Sequence, residues 1–343
     1  MKRFTRKVKA GRHLLYEEMV EAAQDMFTVD ADQDEMAAFL IALAKKGETA
    51  SEVAALASVM SSHASALQVR EDLYLDNCGT GGDGANSFNI STAAAFVLAG
   101  AGVKVAKHGN RKVSSQSGSH DVLDALGVHS RFELSDMGKL LENEGISFFF
   151  APTVHPKMKQ IGDVRRRIGK PTIFNLVGPL TNPVHIQLQF TGINRPDFVM
   201  EYASVLRMLG RERAIVVSGP GGLDEASLSG QNSFVLLDKG DLIPFTLTAE
   251  DVGLSYAPPS AIRGGSPDEN VQMIRSILKG ERGPRFDTVV LNAGIGIFAN
   301  GTVPTIKAGI DLALDSIFSG RAQQKLEAVI AFSEQIRREV AAP

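Results

Sequence analysis

The sequence predicts an α/β protein: a large domain with a mostly parallel central sheet flanked by helices, plus a small all-α domain. Two observations carry this. From about residue 72, short apolar β-branched runs alternate with helical stretches, the pattern of a largely parallel sheet. Before that point the chain shows helical periodicity. A length of 343 residues suits one large domain with a smaller one. The expected division is a helical domain over residues 1–70, joined by helices from about 165–190, and a sheet domain over 71–164 and 191–343.

The first elements are helices. In "DEMAAFLIALAKKG", Met36, Phe39, Leu40 and Leu43 follow the i, i+3, i+4, i+7 pattern of a buried face. Gly47 is placed to end that helix. Thr49 and Glu52 have capping-box spacing for the next, whose stripe is Val53, Leu56, Ala57 and Met60. Strand candidates then follow in "LYLDNC", "VKVAKHGN", "ISFFFAP", "RAIVVSGPGG" and "FDTVVLNAG". Between the early ones lie "STAAAFVLAGAG", a helix with Ser91 as N-cap, and "GSHDVLDALG", a helix capped by Ser119. "SFVLLDKGDLIPFTL" reads as a hairpin around Lys239-Gly240 on the sheet margin.

Composition narrows the function. The formal net charge is −3, from 36 basic and 39 acidic residues, which gives no general attraction to nucleic acid or an anionic membrane. Cys78 is the only cysteine, so no internal disulfide forms, as suits a reducing cytoplasm. The basic N-terminus lacks the apolar stretch of a secretion signal, and no run approaches a membrane span. There is no Walker A sequence, no nucleophile elbow and no His/Cys spacing for zinc.

The candidate strands all end in glycine or polar clusters: "GTGGDG", "KHGN", "APTVHP", "SGPGGLDE" and "NAG". Open α/β sheets bind ligands beyond the carboxyl ends of their strands. Gly79, Gly81 and Gly84 spell G-x-G-x-x-G, yet two features argue against a dinucleotide turn. "ANSFNI" separates the last glycine from the next helix. The second strand ends in Lys107-His108, where a dinucleotide fold wants an acid for a ribose hydroxyl. The loop instead offers unobstructed backbone N–H groups beside a helix N-terminus, which suits an anion. Asn89, Ser91 and Thr92 add donors. "KHGNRKVSSQSGS" adds Lys107, Arg111 and Lys112, with Ser114, Ser115, Ser117 and Ser119. Two such loops suit a ligand with two separate phosphate groups. Asp224 and Glu225, adjacent carboxylates in a glycine loop at a strand end, suit Mg²⁺ completed by substrate phosphates.

"GTGGDG", "NIST", "KHGNR.VSS.SGS.DVL.ALG", "HP.MK...VRR.IG..TIFNL.GPLTNP" and "GLDE", in this order and spacing, resemble the anthranilate phosphoribosyltransferase family, from roughly residue 15 to residue 325. More distant relatives are the pyrimidine nucleoside phosphorylases. The resemblance implies a cleft between the two domains and a homodimer joined through the helical domains. It implies transfer of the phosphoribosyl group of phosphoribosyl pyrophosphate (PRPP) to anthranilate, with inversion at the anomeric carbon, as the second step of tryptophan biosynthesis. The alternatives are a nucleoside phosphorylase on the same fold and a non-catalytic nucleic-acid-binding relative.

Carried over residue by residue, the resemblance assigns PRPP contacts to Gly79, Gly82, Asp83, Ser87, Asn89, Ile90, Ser91 and Thr92. It adds Lys107, His108, Gly109, Asn110, Arg111, Lys112, Val113, Ser114, Ser115 and Ser119. Anthranilate falls to Gly79, Asn110 and Arg165, and two Mg²⁺ per site to Ser91, Asp224 and Glu225. Among Arg165, Arg166 and Arg167, only the resemblance selects the first. No general base is assigned; His108 is the one candidate. Ser87, Gln116 and His120 depart from the family's usual Thr, basic residue and Ala.

Overall fold

The structure, a computed structural model, describes residues 1–65, 67–110, 117–128 and 132–341, the side chains of the last two excepted. Among the described residues seven strands form one sheet in the order β3-β2-β1-β4-β5-β6-β7. Strands β1 (Leu75–Asp76), β2 (Val105–Gly109), β3 (Ile146–Phe150), β4 (Leu188–Gly192) and β5 (Arg213–Ser218) pair in parallel. Strands β6 (Asn232–Asp238) and β7 (Asp241–Leu247) add an antiparallel hairpin at one edge. Its turn is Lys239-Gly240, with φ of 51° and 91°, the positive angles a two-residue hairpin requires. The predicted fold class and marginal hairpin are therefore observed.

The chain runs from β1 outward to β2 and β3, then returns to β4 on the other side of β1. The order of strands thus reverses between β1 and β4, the switch point where open α/β sheets form their ligand crevice at the strands' carboxyl ends. β4 was not anticipated. Gln189 and Thr191 interrupt its apolar run, yet both are buried because their side chains bond the carbonyls of Pro179 (2.7 Å) and Cys78 (2.6 Å).

The expected strand in "FDTVVLNAG" is a correction: it lies within the helix Pro284–Asn300. That helix is buried on nearly every side, from Phe286 through Ile297, so its apolar run carries no face signal. Pro284 at its first turn and Gly301 at its end, with φ 85°, are the punctuation that identifies it.

The predicted helical hairpin is observed. Gly47 ends Gln33–Lys46 with φ 89°, and the Thr49–Glu52 capping box opens Ala50–Ser62. Met36, Phe39, Leu40, Leu43, Val53 and Leu56 are fully buried. Their core continues into Ile161, Val164, Phe174 and Leu176, and on to one face of the sheet. The two-residue period of strands places Ala214, Val216, Val235 and Leu237 in that core, while Ile215, Val217, Phe234 and Leu236 enter the core on the opposite face.

Two caps fall one or two residues away from the sequence reading. The helix Ile90–Gly100 has Asn89 at its N-cap position, and Ser91 lies within its first turn. The helix Ser119–Leu126 has Gly118 at the cap, and Ser119 is its first residue. Neither serine hydroxyl is used as a cap: Ser119 donates instead to Asn110 O, and the Ser91 hydroxyl acts on Glu225.

Candidate active site

The segment after β1 is an open loop from Asn77 to Asn89. Gly81, Gly82 and Gly84 hold φ of 67°, 83° and 70°, the left-handed backbone that glycine adopts readily. The loop is anchored across the crevice to the end of β4. The N–H of Thr80 donates to Gly192 O (2.9 Å), and the N–H of Asn194 donates to the Thr80 hydroxyl (3.4 Å). Its far end pairs with the segment at Ile262–Gly264: Phe88 N–H donates to Ile262 O (3.0 Å) and Gly264 N–H to Asn86 O (2.9 Å). Ser87 forms the intervening bridge with Arg263.

Asp224 and Glu225 follow β5 and face this loop. The N–H of Gly81 donates to Asp224 Oδ2 at 2.5 Å. A Cβ at Gly79 would stand 2.6 Å from that same oxygen, and one at Gly192 only 1.7 Å from Asp224 O. The glycines are thus required by close approach of the carboxylate segment. Burial raises the pKa of both acids, and Asp224 is raised further by Glu225 and Asp83. Lys107 and the hydroxyl and amide of Ser91 act in the opposite sense on Glu225. The structure therefore gathers Ser91, Asp224 and Glu225, and adds Asp83 beside them. Asp83 Oδ1 accepts from Ala85 N–H (3.0 Å), while its buried Oδ2 has no protein partner among the described residues.

The end of β2 supplies Lys107 and His108, both buried. Lys107 Nζ donates to Asn77 O at 3.0 Å. His108 Nδ1–H donates to Gly178 O (2.9 Å), which leaves Nε2 as a buried acceptor without a partner among the described residues. Burial, with His155 next to it, pushes the His108 pKa down to about 3, so the ring is neutral at physiological pH. Beyond it, Gly109 and Asn110 meet the next helix. Asn110 O accepts from the Ser119 hydroxyl at 3.0 Å, and a Cβ at Gly109 would come within 2.7 Å of that hydroxyl. Ile90 is buried, and the buried Thr92 hydroxyl has no partner among the described residues. Arg111, Lys112, Val113, Ser114 and Ser115 lie outside the described residues, as does Gln116.

Arg165 lies in the helix Lys159–Ile168 on the helical-domain side. Arg166 and Arg167 are exposed and pair with Asp163 and Asp34. Arg165 is half-buried against the Phe174 ring (5.6 Å), with no carboxylate partner among the described residues. Burial lowers its pKa.

Two family models match the chain. The glycosyl transferase family helical bundle domain covers residues 2–64, and the glycosyl transferase family a/b domain covers 71–323. Anthranilate phosphoribosyltransferase of Exiguobacterium sibiricum is 54% identical over 98% of this chain and 99% of its own length. The chain belongs to the anthranilate phosphoribosyltransferase family. The crystal structure of a family member from Thermus thermophilus superposes with a TM-score of 0.90 at 40% identity, covering 96% of this chain and 99% of the other. A member from Saccharomyces cerevisiae, solved in complex with PRPP and Mg, superposes at 0.88 with 28% identity and 97% coverage of each chain. Another yeast structure holds 4-fluoroanthranilate, at 0.87, 27% and 97% of each.

In this member of the anthranilate phosphoribosyltransferase family, the carboxylate set fits Mg²⁺. Among the described residues no three His, Cys, Asp or Glu side chains form a ready-made cage. Mg²⁺ does not need one, since it keeps waters and takes one or two carboxylates plus phosphate oxygens. The unpartnered Asp83 Oδ2 and the mutually repelling acids are the groups a hard cation would relieve.

Sequence reading missed the buried supports. Asn292, inside the misassigned "LNAG", binds both the N–H (3.0 Å) and the C=O (2.8 Å) of Ala226, next to Glu225. Asp76 accepts from the N–H groups of Cys78 (3.0 Å) and His108 (3.3 Å) and from Asn182 (2.9 Å), holding β1, β2 and the "TNP" turn together. Buried Asn and Asp in apolar runs were the available signal.

Proposed function

We propose that this chain transfers the 5-phosphoribosyl group of PRPP to the amine of anthranilate, giving N-(5-phosphoribosyl)anthranilate and pyrophosphate. The observation that carries this is the meeting of the glycine loop and the Asp224-Glu225 segment across the switch-point crevice, at the Gly81–Asp224 hydrogen bond. A glycine loop and a half-buried acidic pair, brought together, suit a magnesium pyrophosphate. The yeast relatives solved with PRPP and Mg and with 4-fluoroanthranilate support the same ligands.

Cleavage of the C1–O bond leaves positive charge on the ribose and negative charge on pyrophosphate, so the transition state is oxocarbenium-like. Bound Mg²⁺, two ions per site held by Ser91, Asp224 and Glu225, supplies neutralisation of that leaving charge. The amides of Gly79, Gly82 and Asp83, with Ser87 and the first turn from Asn89 to Thr92, cradle the pyrophosphate. Lys107 to Asn110 and Ser119 hold the sugar and its 5-phosphate, a role the family resemblance also gives to Arg111, Lys112, Val113, Ser114 and Ser115, outside the described residues. Arg165, a half-buried cation without a protein carboxylate, receives the carboxylate of anthranilate in bidentate fashion. Asn110 orients the amine, and Gly79 leaves room for the ring. An aromatic amine is unprotonated at neutral pH and attacks without a general base. His108 stays neutral and offers Nε2 as an acceptor.

The working protein is a homodimer joined through the helical domain over residues 1–70 and 165–190, and it acts in the cytoplasm. No helix among the described residues is long and apolar enough to cross a membrane.

The test is incubation of the chain with PRPP, Mg²⁺ and anthranilate, following loss of anthranilate fluorescence. Loss that requires both PRPP and Mg²⁺ is expected. Its absence, or turnover of pyrimidine nucleosides with phosphate instead, overturns the reading.

A further inference from the structure

We propose that Asn270 is a positioning residue for PRPP: it sets which end of the Asn89 side-chain amide faces the ligand loops. The proposal rests on the PRPP reading above. Asn270 lies in the helix Pro267–Leu278, far along the chain from the glycine loop, and is 1% exposed.

Its direction is fixed by a group that can only donate. The N–H of Gly265 donates to Asn270 Oδ1 at 2.9 Å. Asn270 must then turn Nδ2 outward, and Nδ2 donates to Asn89 Oδ1 at 2.9 Å. Asn89 in turn is left with Nδ2 facing the loop before the helix Ser119–Leu126, where it donates to Ser117 O at 3.3 Å. An amide flips readily in isolation, and its orientation follows its one-way partners. The relay therefore runs in one sense, from the Gly265 backbone to the two loops assigned to PRPP.

Separation and polarity have different sources. The backbone pairs Gly264–Asn86 and Phe88–Ile262 hold the two segments at a fixed distance, and a Cβ at Gly264 would stand 2.8 Å from the Phe88 backbone. Those contacts do not decide which way the Asn89 amide points. Asn270 does, on the side of the Asn89 oxygen, and Ser117 O accepts on the other. A carboxylate at position 270 would place an acceptor against Asn89 Oδ1. Turning Asn89 over would then place its oxygen against Ser117 O and toward an anionic ligand. Either state disfavours PRPP, whereas a small side chain at 270 only leaves Asn89 Oδ1 without its donor.

The experiment measures PRPP binding with Mg²⁺ by titration calorimetry, and KM and kcat for both substrates, in wild type, Asn270→Asp and Asn270→Ser. PRPP affinity and KM are expected to weaken about tenfold or more in Asn270→Asp and less in Asn270→Ser, with KM for anthranilate unmoved. If Asn270→Asp does not fold, the smaller loss of PRPP affinity in Asn270→Ser, absent in an Asn89→Ala background, carries the test. In an Asn89→Ala background the Asn270 substitutions should add little, since the amide they orient is gone. Wild-type-like PRPP affinity in folded variants, or a full additional effect in the Asn89→Ala background, overturns the assignment of Asn270 alone. A wild-type chain that binds no PRPP overturns the functional reading and this proposal with it.

Discussion

The backbone N–H of Gly81 donates to Asp224 Oδ2 at 2.5 Å and so joins two segments 143 residues apart in sequence. The loop that would hold pyrophosphate and the carboxylate that would hold its metal are thereby one unit. Gly79 stands closest to the contact, where an added Cβ would meet Asp224 Oδ2 at 2.6 Å and Asp224 O at 3.1 Å. Gly79→Ala must displace either the loop or the acid. We expect kcat/KM to fall about 100-fold, equivalent to about 2.7 kcal/mol, with the melting temperature changed by only a few degrees. Steady-state kinetics with a thermal melt checks this; near-normal kcat/KM contradicts it.

Asp224, Glu225 and Asp83 crowd acidic groups into a half-buried place. Asp224→Asn combined with Glu225→Gln removes that repulsion without changing shape. Turnover should be lost and PRPP binding should no longer respond to Mg²⁺, while thermal stability is unchanged or higher. Wild-type activity in the double variant removes the metal assignment.

His108 is held neutral, its pKa pushed down to about 3 by burial. The stabilisation from a neutral ring is complete above the ordinary value of about 6.5 and is lost as pH falls through 6.5 toward 3. Asp76 has the opposite sign: burial raises it to about 6, so stability from its protonated form is complete below its ordinary 3.8 and is lost as pH rises through 6. His108→Gln, whose amide can still donate to Gly178 O, isolates the first effect. From pH 6.5 to 5, wild type should lose on the order of 2 kcal/mol relative to the variant. Parallel denaturation curves at the two pH values would contradict it.

Lys46 and Glu52 form a buried ion pair in the helical domain, with Nζ at 2.9 and 2.8 Å from the two carboxylate oxygens and side chains 3% and 0% exposed. Glu52 also accepts from the N–H groups of Leu14 and Thr49. Glu52→Gln leaves Lys46 charged and uncompensated, at an expected cost of about 3–5 kcal/mol. Denaturant unfolding measures it, and a loss below about 1 kcal/mol would show the pair to be solvated.

The parts of the site legible in the sequence were those with local geometry. Glycines at 79, 81, 82 and 84, the adjacent acids at 224 and 225, and the polar end of β2 each mark a strand terminus where a backbone must open to a ligand. Supports such as Asn270, Asn292 and Asp76 could not be assigned from sequence, because an Asn or Asp reads the same whether it faces solvent or braces a distant loop. Arg165 illustrates the limit. Three consecutive arginines share one local pattern, and only packing against Phe174 separates the half-buried one from the two exposed.

By itself the sequence determined the α/β class, the helical hairpin with its Gly47 stop and Thr49 cap, and the edge hairpin at Lys239-Gly240, because periodicity, caps and turns act over a few residues. Tertiary structure alone decided that β4 exists despite Gln189 and Thr191, and that "FDTVVLNAG" is helical. It also placed β1 beside β4, which brings Gly81 to Asp224. Those outcomes depend on burial and on contacts between segments distant in sequence, such as Thr191 with Cys78 and Gly81 with Asp224, where no local pattern reaches.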